Sequence, residues 1–280
     1  MLRSDNLIIY LIEPYIYQYI NNESRKNNGG YVMEDNFQEY NIPELYDIEN
    51  DSLHDLALLE EYADSNGINI DLACGTGRVT IPFSEKGYRM IGVDNHEGML
   101  SRAEEKTKNP LIDWVKQDLK KLKLDVTSQF IYMVGNSFQH FLTNEDQDQL
   151  LQSVHAHLDA NGVFIFDTRF PSKEELLQPE TEEYWRSFTD HLGRKVDVST
   201  IAVYQAVTQV QTYLTIRRFE ECDGSILKTE SKISLRYVYP GEMDRLLASH
   251  GFSVVHRYQD WRKTELTNDA TNMVYVCRKR

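Results

Sequence analysis

The stretch Asp71-Leu72-Ala73-Cys74-Gly75-Thr76-Gly77-Arg78 decides the fold of this chain. It closes a short apolar run, residues 68–74, which reads as a buried strand, and it opens a helix over 78–86. A chain that passes from strand to helix within a few residues needs glycine at the turn. Without a Cβ, Gly75 and Gly77 allow a sharp reversal and let a ligand approach the backbone closely. The helix that follows directs its free N–H groups at whatever sits there. In a dinucleotide site that ligand is a pyrophosphate and the pattern is G-x-G-x-x-G, but here Thr80 holds the third glycine position.

Working outward, strands are expected at 90–94, 112–117, 130–134 and 163–167. Helices are expected at 97–106 and 145–158. Short apolar strands alternating with helices are parallel βαβ units, hence a doubly wound sheet covered on both faces. Upstream, a helix over 53–65 is expected, capped by Asp51 or Ser52. Further back, Ile8, Ile12, Ile16 and Ile20 recur at four-residue spacing and form a helical stripe over 5–21, interrupted near Pro14. Beyond Pro171 the alternation stops. Three period-two runs follow (196–207, 210–219 and 227–239), with Cys222-Asp223-Gly224-Ser225 as the hairpin turn between the last two. A helix over 242–250, opened by Pro240 and closed by Gly251, leads to two final strands at 253–258 and 273–277. The expected organisation is a helical cap (1–60), an α/β core (61–171 and 240–280), and an antiparallel β insertion (172–239) forming part of a substrate site.

Ligands of doubly wound sheets sit beyond the carboxyl ends of the strands, near the switch in strand order. Four segments converge there. The glycine loop is the first. Asp94 ends the next strand, 17 residues beyond Gly77, where a carboxylate accepts hydrogen bonds from ribose hydroxyls; the competing reading is a cap for the following helix. Gln117-Asp118-Leu119 follows the third strand, where an acidic group can take an adenine amine with Leu119 flanking the ring, or can be an ordinary loop aspartate. Val134-Gly135-Asn136-Ser137-Phe138-Gln139-His140 follows the fourth.

These motifs together, D-L-A-C-G-T-G-R, G-V-D-x-x-x-x-M-L, Q-D-L and N-S-F-x-H-F, resemble the motif series of class I S-adenosylmethionine (SAM) dependent methyltransferases. The bacterial small-molecule members are nearest, among them sugar N-methyltransferases and natural-product tailoring enzymes. The resemblance spans residues 46–170 and, less closely, the final strands. It implies a Rossmann-like sheet of seven strands with an antiparallel last strand, and SAM as cofactor. Asp71, Ala73, Cys74, Gly75, Thr76 and Gly77 would form the loop on the methionine side. Asp94 and Asn95 would meet the ribose, Met99 would pack near the adenine, and Gln117, Asp118 and Leu119 would surround its amine. Gly135, Asn136 and Ser137 would lie beside the sulfonium. The sequence departs from the series at Tyr132-Met133, where an acidic residue is common. It also lacks the Asn/Asp-Pro-Pro-aromatic tetrad of DNA and glutamine amino-methyltransferases.

Composition narrows the substrate. The net charge of −14 repels a phosphate backbone, so nucleic acid is disfavoured as partner. Cys74, Cys222 and Cys277 show no CxxC spacing and read as reduced thiols of a cytoplasmic protein. No apolar run approaches the roughly 18 residues of a membrane span. His155 and His157 lie two apart on a helix and point in different directions, so no metal is expected. Tyr15, Tyr17, Tyr31 and Tyr46 precede or open the core and could close over SAM. Transfer of a sulfonium methyl is an in-line displacement to a nitrogen or oxygen of a small molecule. His140, the one side chain of its loop that titrates near neutrality, is the candidate base or orienting group, against a purely packing role. The alternatives to an enzyme of this kind are a non-catalytic SAM-binding protein, a nucleic-acid methyltransferase, and an NAD(P)-dependent oxidoreductase.

Overall fold

The computed structural model describes residues 36–280; the stripe at 5–21, with Tyr15, Tyr17 and Tyr31, falls outside the described residues. After a 3-10 turn (Gln38–Tyr40) come α1 (Pro43–Glu49), α2 (Leu56–Glu60), β1 (Ile68–Leu72), α3 (Thr80–Glu85) and β2 (Arg89–Asp94). Next are α4 (Glu97–Lys106), β3 (Ile112–Lys116), β4 (Ser128–Met133), α5 (Asn144–His157) and β5 (Leu158–Arg169). Then α6 (Lys173–Leu176), β6 (Glu183–Thr189), β7 (Lys195–Gln205), β8 (Val210–Glu220), β9 (Ile226–Arg236), α7 (Pro240–Ser249), β10 (Phe252–Tyr258) and β11 (Asn272–Lys279) complete the order.

The main sheet runs β3-β2-β1-β4-β5-β11-β10. Strands β1 to β5 pair in parallel, and β11 joins β5 and β10 antiparallel. Two apolar layers cover it. Ile70, Leu72, Ile131, Met133, Phe164 and Phe166 face Leu150, Leu151, Met243 and Leu247 of α5 and α7. Met90, Phe130, Tyr132 and Ile165 face Leu58, Leu59 and Phe83 of α2 and α3. Burial on both faces is why these strands read as continuous apolar runs. Each such side chain contributes roughly 1.5–3 kcal/mol relative to exposure. The order reverses between β1 and β4, so the crevice lies at their carboxyl ends.

The insertion is a four-stranded antiparallel sheet, β6-β7-β8-β9, rather than the three strands expected. The extra strand, β6, lies at the edge with Tyr184 and Trp185 exposed. It is accessible along most of its length and so carries no period-two signal. The helix expected over 53–65 is only α2, and neither Asp51 nor Ser52 caps it. Asp55 stands at its start but makes no cap bond, because both of its oxygens bind Arg78, at 3.1 and 2.5 Å. Helix α1, with Pro43 in its first turn, was not anticipated.

Two glycines of the glycine-rich region are required by a side chain. The Trp114 indole on β3 lies against β2 and the loop after β1, so a Cβ on Gly92 or Gly77 would come within 2.6 Å of the ring. Gly92→Ala is therefore expected to lower the unfolding free energy by about 1–3 kcal/mol through overpacking. Trp114→Leu in the same chain should recover part of that loss, as measured by denaturant unfolding. A neutral Gly92→Ala would contradict the packing.

Candidate active site

The loop after β1 is held in a left-handed backbone course, with φ of +56° at Ala73, +56° at Gly75 and +77° at Gly77. A non-glycine residue in that region carries strain of the sort that collects at ligand sites. Asp94 fixes the loop. One carboxylate oxygen accepts the Gly75 N–H at 2.8 Å and the other accepts the His96 N–H, also at 2.8 Å. His96, not Asp94, caps α4, its ring nitrogen accepting from the Met99 N–H at 3.2 Å. Asp94 thus has lone pairs to spare and retains accessible surface, while burial raises its carboxyl above the usual range.

The other candidates divide by what their polar groups already do. Asp71 is buried; one oxygen accepts the Thr80 hydroxyl at 2.6 Å, and the buried Tyr132 hydroxyl lies beside the carboxylate. Burial pushes Asp71 up to about 7 against the Thr80 hydrogen bond. The residue at the third glycine position thereby anchors the loop from below. Cys74 is buried, and its thiol is raised well above the usual range by burial. Thr76 donates to Asp47 of α1 at 2.6 Å, and Arg102 and Lys106 of α4 bind the same carboxylate at 3.0 and 2.9 Å. Met99 is buried, with its methyl 3.2 Å from where a Cβ on Gly75 would stand. Asn95 is exposed beside Asp94.

Both ends of the Gln117 amide bind the Lys123 backbone, at 3.0 and 2.8 Å, and pin the loop after β3. Asp118 caps the next 3-10 turn through the Lys120 N–H at 3.0 Å, which leaves its second oxygen for another donor. Leu119 is buried. After β4, Gly135 has φ +72° with nothing within 4 Å of a Cβ position, and Asn136 has φ +60°. The Asn136 N–H donates to Asp167 at 2.9 Å, and its side-chain oxygen is buried without a partner. The Ser137 hydroxyl donates to the Val134 carbonyl at 2.7 Å.

His140 ends this segment. Its Nε2 lies 2.8 Å from the Tyr40 hydroxyl, and the two rings meet edge to face at 5.7 Å. Tyr46 packs on Tyr40 at 5.7 Å and approaches Gly75. Burial and the positive charge of Arg169 pull His140 down to about 4, so the imidazole is neutral at physiological pH. Burial raises the Tyr46 phenol to about 12. Arg169, at the end of β5, binds Glu175 at 3.0 Å, and the hydroxyls of Tyr213 and Tyr237 donate to the same oxygen at 2.7 and 2.5 Å. Tyr40, Tyr46, His140 and Arg169 all keep accessible surface although protein encloses them, the mark of groups lining a concavity. Sequence reading missed Tyr40, Asp47, Asp167 and Arg169. The last two end a core strand, and the rule that singled out Asp94 would have found them. Among the described residues no group of three or more His, Cys, Asp or Glu could hold a metal ion. His157 is structural, bonding the Ser153 carbonyl and the Leu124 N–H.

The fold and this edge define a class, and comparison with known proteins returns the same one: residues 70–162 match the family described as a methyltransferase domain. That family is of the class whose motif series the sequence resembles. A glycine/sarcosine N-methyltransferase of Parasynechococcus marenigrum is 26% identical over 198 residues, 69% of this chain and 66% of that protein. The chain thus spans just under two thirds of that relative's length. Among solved structures, the CcbJ methyltransferase of Streptomyces caelestis superposes with a TM-score of 0.70 at 22% identity, covering 81% of this chain and 88% of that one. The sugar N-methyltransferase KedS8 of a Streptoalloteichus species gives 0.68 at 16% identity, covering 91% and 98%. No helix among the described residues is long and apolar enough to cross a membrane.

The residues present fit SAM. Asp94 has acceptor capacity for ribose hydroxyls, the orphaned Asn136 oxygen suits an ammonium group, and the open space at Gly135 admits a ligand against the backbone. Asp94→Asn should lower SAM affinity at least tenfold, since each charge-assisted hydrogen bond is worth roughly 1.5–3 kcal/mol. Affinity should also fall as pH is lowered through the raised carboxyl pKa, because the acceptor is the ionised form. Calorimetry on folded protein reads both; unchanged affinity would remove Asp94 from the site.

Proposed function

We propose that this chain transfers the methyl group of SAM to the nitrogen of a small-molecule amine, and that Arg169 favours acceptors carrying an anionic group. The observation that carries the reading is the Tyr40–His140 pair, two uncharged polar groups in an enclosed wall at the carboxyl edge, where burial and then the Arg169 charge depress the imidazole. When bound, SAM supplies an electrophilic methyl on a sulfonium. Asp94, Asn136 and the loop at 73–77 would hold it, with Asp118 on the adenine side.

A histidine with a pKa near 4 is a poor proton acceptor at neutral pH; taking up a proton there costs about 4 kcal/mol at 1.36 kcal/mol per unit. Proton abstraction from an alcohol is therefore not what this wall favours. A neutral amine needs only to be oriented and kept from water, and a phenol oxygen with an imidazole provides hydrogen-bond partners for that. The names of the relatives point the same way, since the glycine/sarcosine enzyme and KedS8 are both N-methyltransferases. Arg169 adds selectivity. Its side chain is 37% accessible despite the Glu175 ion pair, which leaves guanidinium N–H groups for a carboxylate.

The test is turnover with SAM on matched amines with and without a carboxylate. Arg169→Met should raise KM for the acidic acceptors at least tenfold and change little for the neutral ones. His140→Ala should reduce kcat about 10–100-fold with SAM affinity retained. The wild-type pH profile should show no inflection near 6.5 from His140; as pH falls, the His140 effect is lost only around 4. An inflection near 6.5 that disappears in His140→Ala would overturn the orienting role in favour of a base.

A further inference from the structure

Tyr40 and Tyr46 belong to one short strap, residues 37–49, made of a 3-10 turn and α1. Little in the strap itself holds it there. Helix α1 has seven residues, no side-chain cap, and Leu45 as its single buried residue. Leu45 packs on Val196, Val198 and Phe219 of the insertion sheet. The remaining attachment on that side is polar and centres on Arg217 of β8. Its Nε and Nη2 donate to the two oxygens of Glu49 at 2.9 and 3.0 Å. Nη2 also donates to Glu39 at 2.8 Å, and Nη1 to the Ser231 hydroxyl at 2.9 Å. Ser231 in turn donates to the other Glu39 oxygen at 2.9 Å. Arg186 of β6 meets Glu49 from the edge at 3.1 Å. The Arg217 side chain is 8% exposed, Glu39 12% and Glu49 6%.

The opposite side of the strap meets the proposed cofactor loop. Tyr46 approaches Gly75, Asp47 holds Thr76, and Tyr40, the neighbour of Glu39, reaches His140. We propose that Arg217 is a positioning residue of the site: a buried clasp by which the insertion sheet keeps residues 37–49 closed over the SAM loop and Tyr40 on His140. The inference rests on the SAM reading for the identity of what is enclosed. The clasp itself does not. Buried charges left without their partner are strongly unfavourable, so removing Arg217 strips Glu39 of its counter-charge, leaves Glu49 with Arg186 alone at the sheet edge, and lifts the strap. Lysine cannot span two carboxylates and a hydroxyl as the guanidinium fork does, so it restores closure only in part.

Two readouts test this on the full chain. Backbone hydrogen exchange at Tyr40, Leu45 and Tyr46, whose N–H groups bond within the strap, should accelerate at least tenfold in Arg217→Met. It should be intermediate in Arg217→Lys, and exchange in β1 and β4 should be unchanged. The dissociation rate of radiolabelled SAM should rise at least tenfold in Arg217→Met. Arg218→Met, which removes the exposed neighbour paired with Glu182, should leave both readouts at wild-type values. If Arg217→Met does not fold, Glu39→Gln, which keeps the Glu49 pair, should show a severalfold change in the same directions. Unchanged exchange at the strap, equal acceleration everywhere, or an unchanged SAM dissociation rate would each overturn the proposal. A wild-type chain that methylates no amine would refute the acceptor reading alone, and one that binds no SAM would refute the cofactor reading; the exchange measurement still decides the clasp in either case.

Discussion

The arrangement depends on one carboxylate. Asp94 ends β2, and by accepting the N–H of Gly75 and the N–H of His96 it ties the loop after β1 to the start of α4. Two parallel neighbours are thereby held at the depth where the strand order turns. Around that tie the loop takes its left-handed course, Thr80 supports it from beneath through Asp71, and Trp114 occupies the space that the glycines leave. The glycine pattern consequently answers to two demands. Gly135 keeps the backbone open where the ligand is proposed to lie, whereas Gly75 makes room for the Met99 methyl and Gly77 and Gly92 for an indole.

A second constraint is electrostatic. In the concavity burial, with the Arg169 charge beside it, holds His140 neutral, while Glu175 and its two tyrosine donors compensate Arg169. Glu175 lies on α6, and Tyr213 and Tyr237 come from the insertion and its exit, so the added sheet shapes the wall as well as the strap. In a chain of net charge −14, a guanidinium partly open to a cavity is a local inversion of the overall field.

Much of this was legible in the sequence. The order of core strands and helices, the glycine loop, Asp94 and the segment ending at His140 follow from periodicity and turn chemistry, because both faces of the sheet are buried and ligand loops gather at one edge. What was missed has specific physical causes. Strand β6 is exposed along most of its length and lacks an apolar rhythm. Asp55 resembles a helix cap but is taken by Arg78. Tyr40 meets His140 from 100 positions away, Glu39 meets Ser231 from 192, and Arg217 meets Glu49 from 168, pairings that no local pattern encodes.

In the proposed reading SAM lies on Asp94 with its sulfur directed at the wall made by Tyr40 and His140. A crystal structure of the protein with S-adenosylhomocysteine tests it most directly. The expected electron density places the ribose hydroxyls on the Asp94 carboxylate, the amino-acid end beside Asn136, and the sulfur facing the Tyr40–His140 pair. A product bound elsewhere, or a sulfur turned away from that pair, would contradict it.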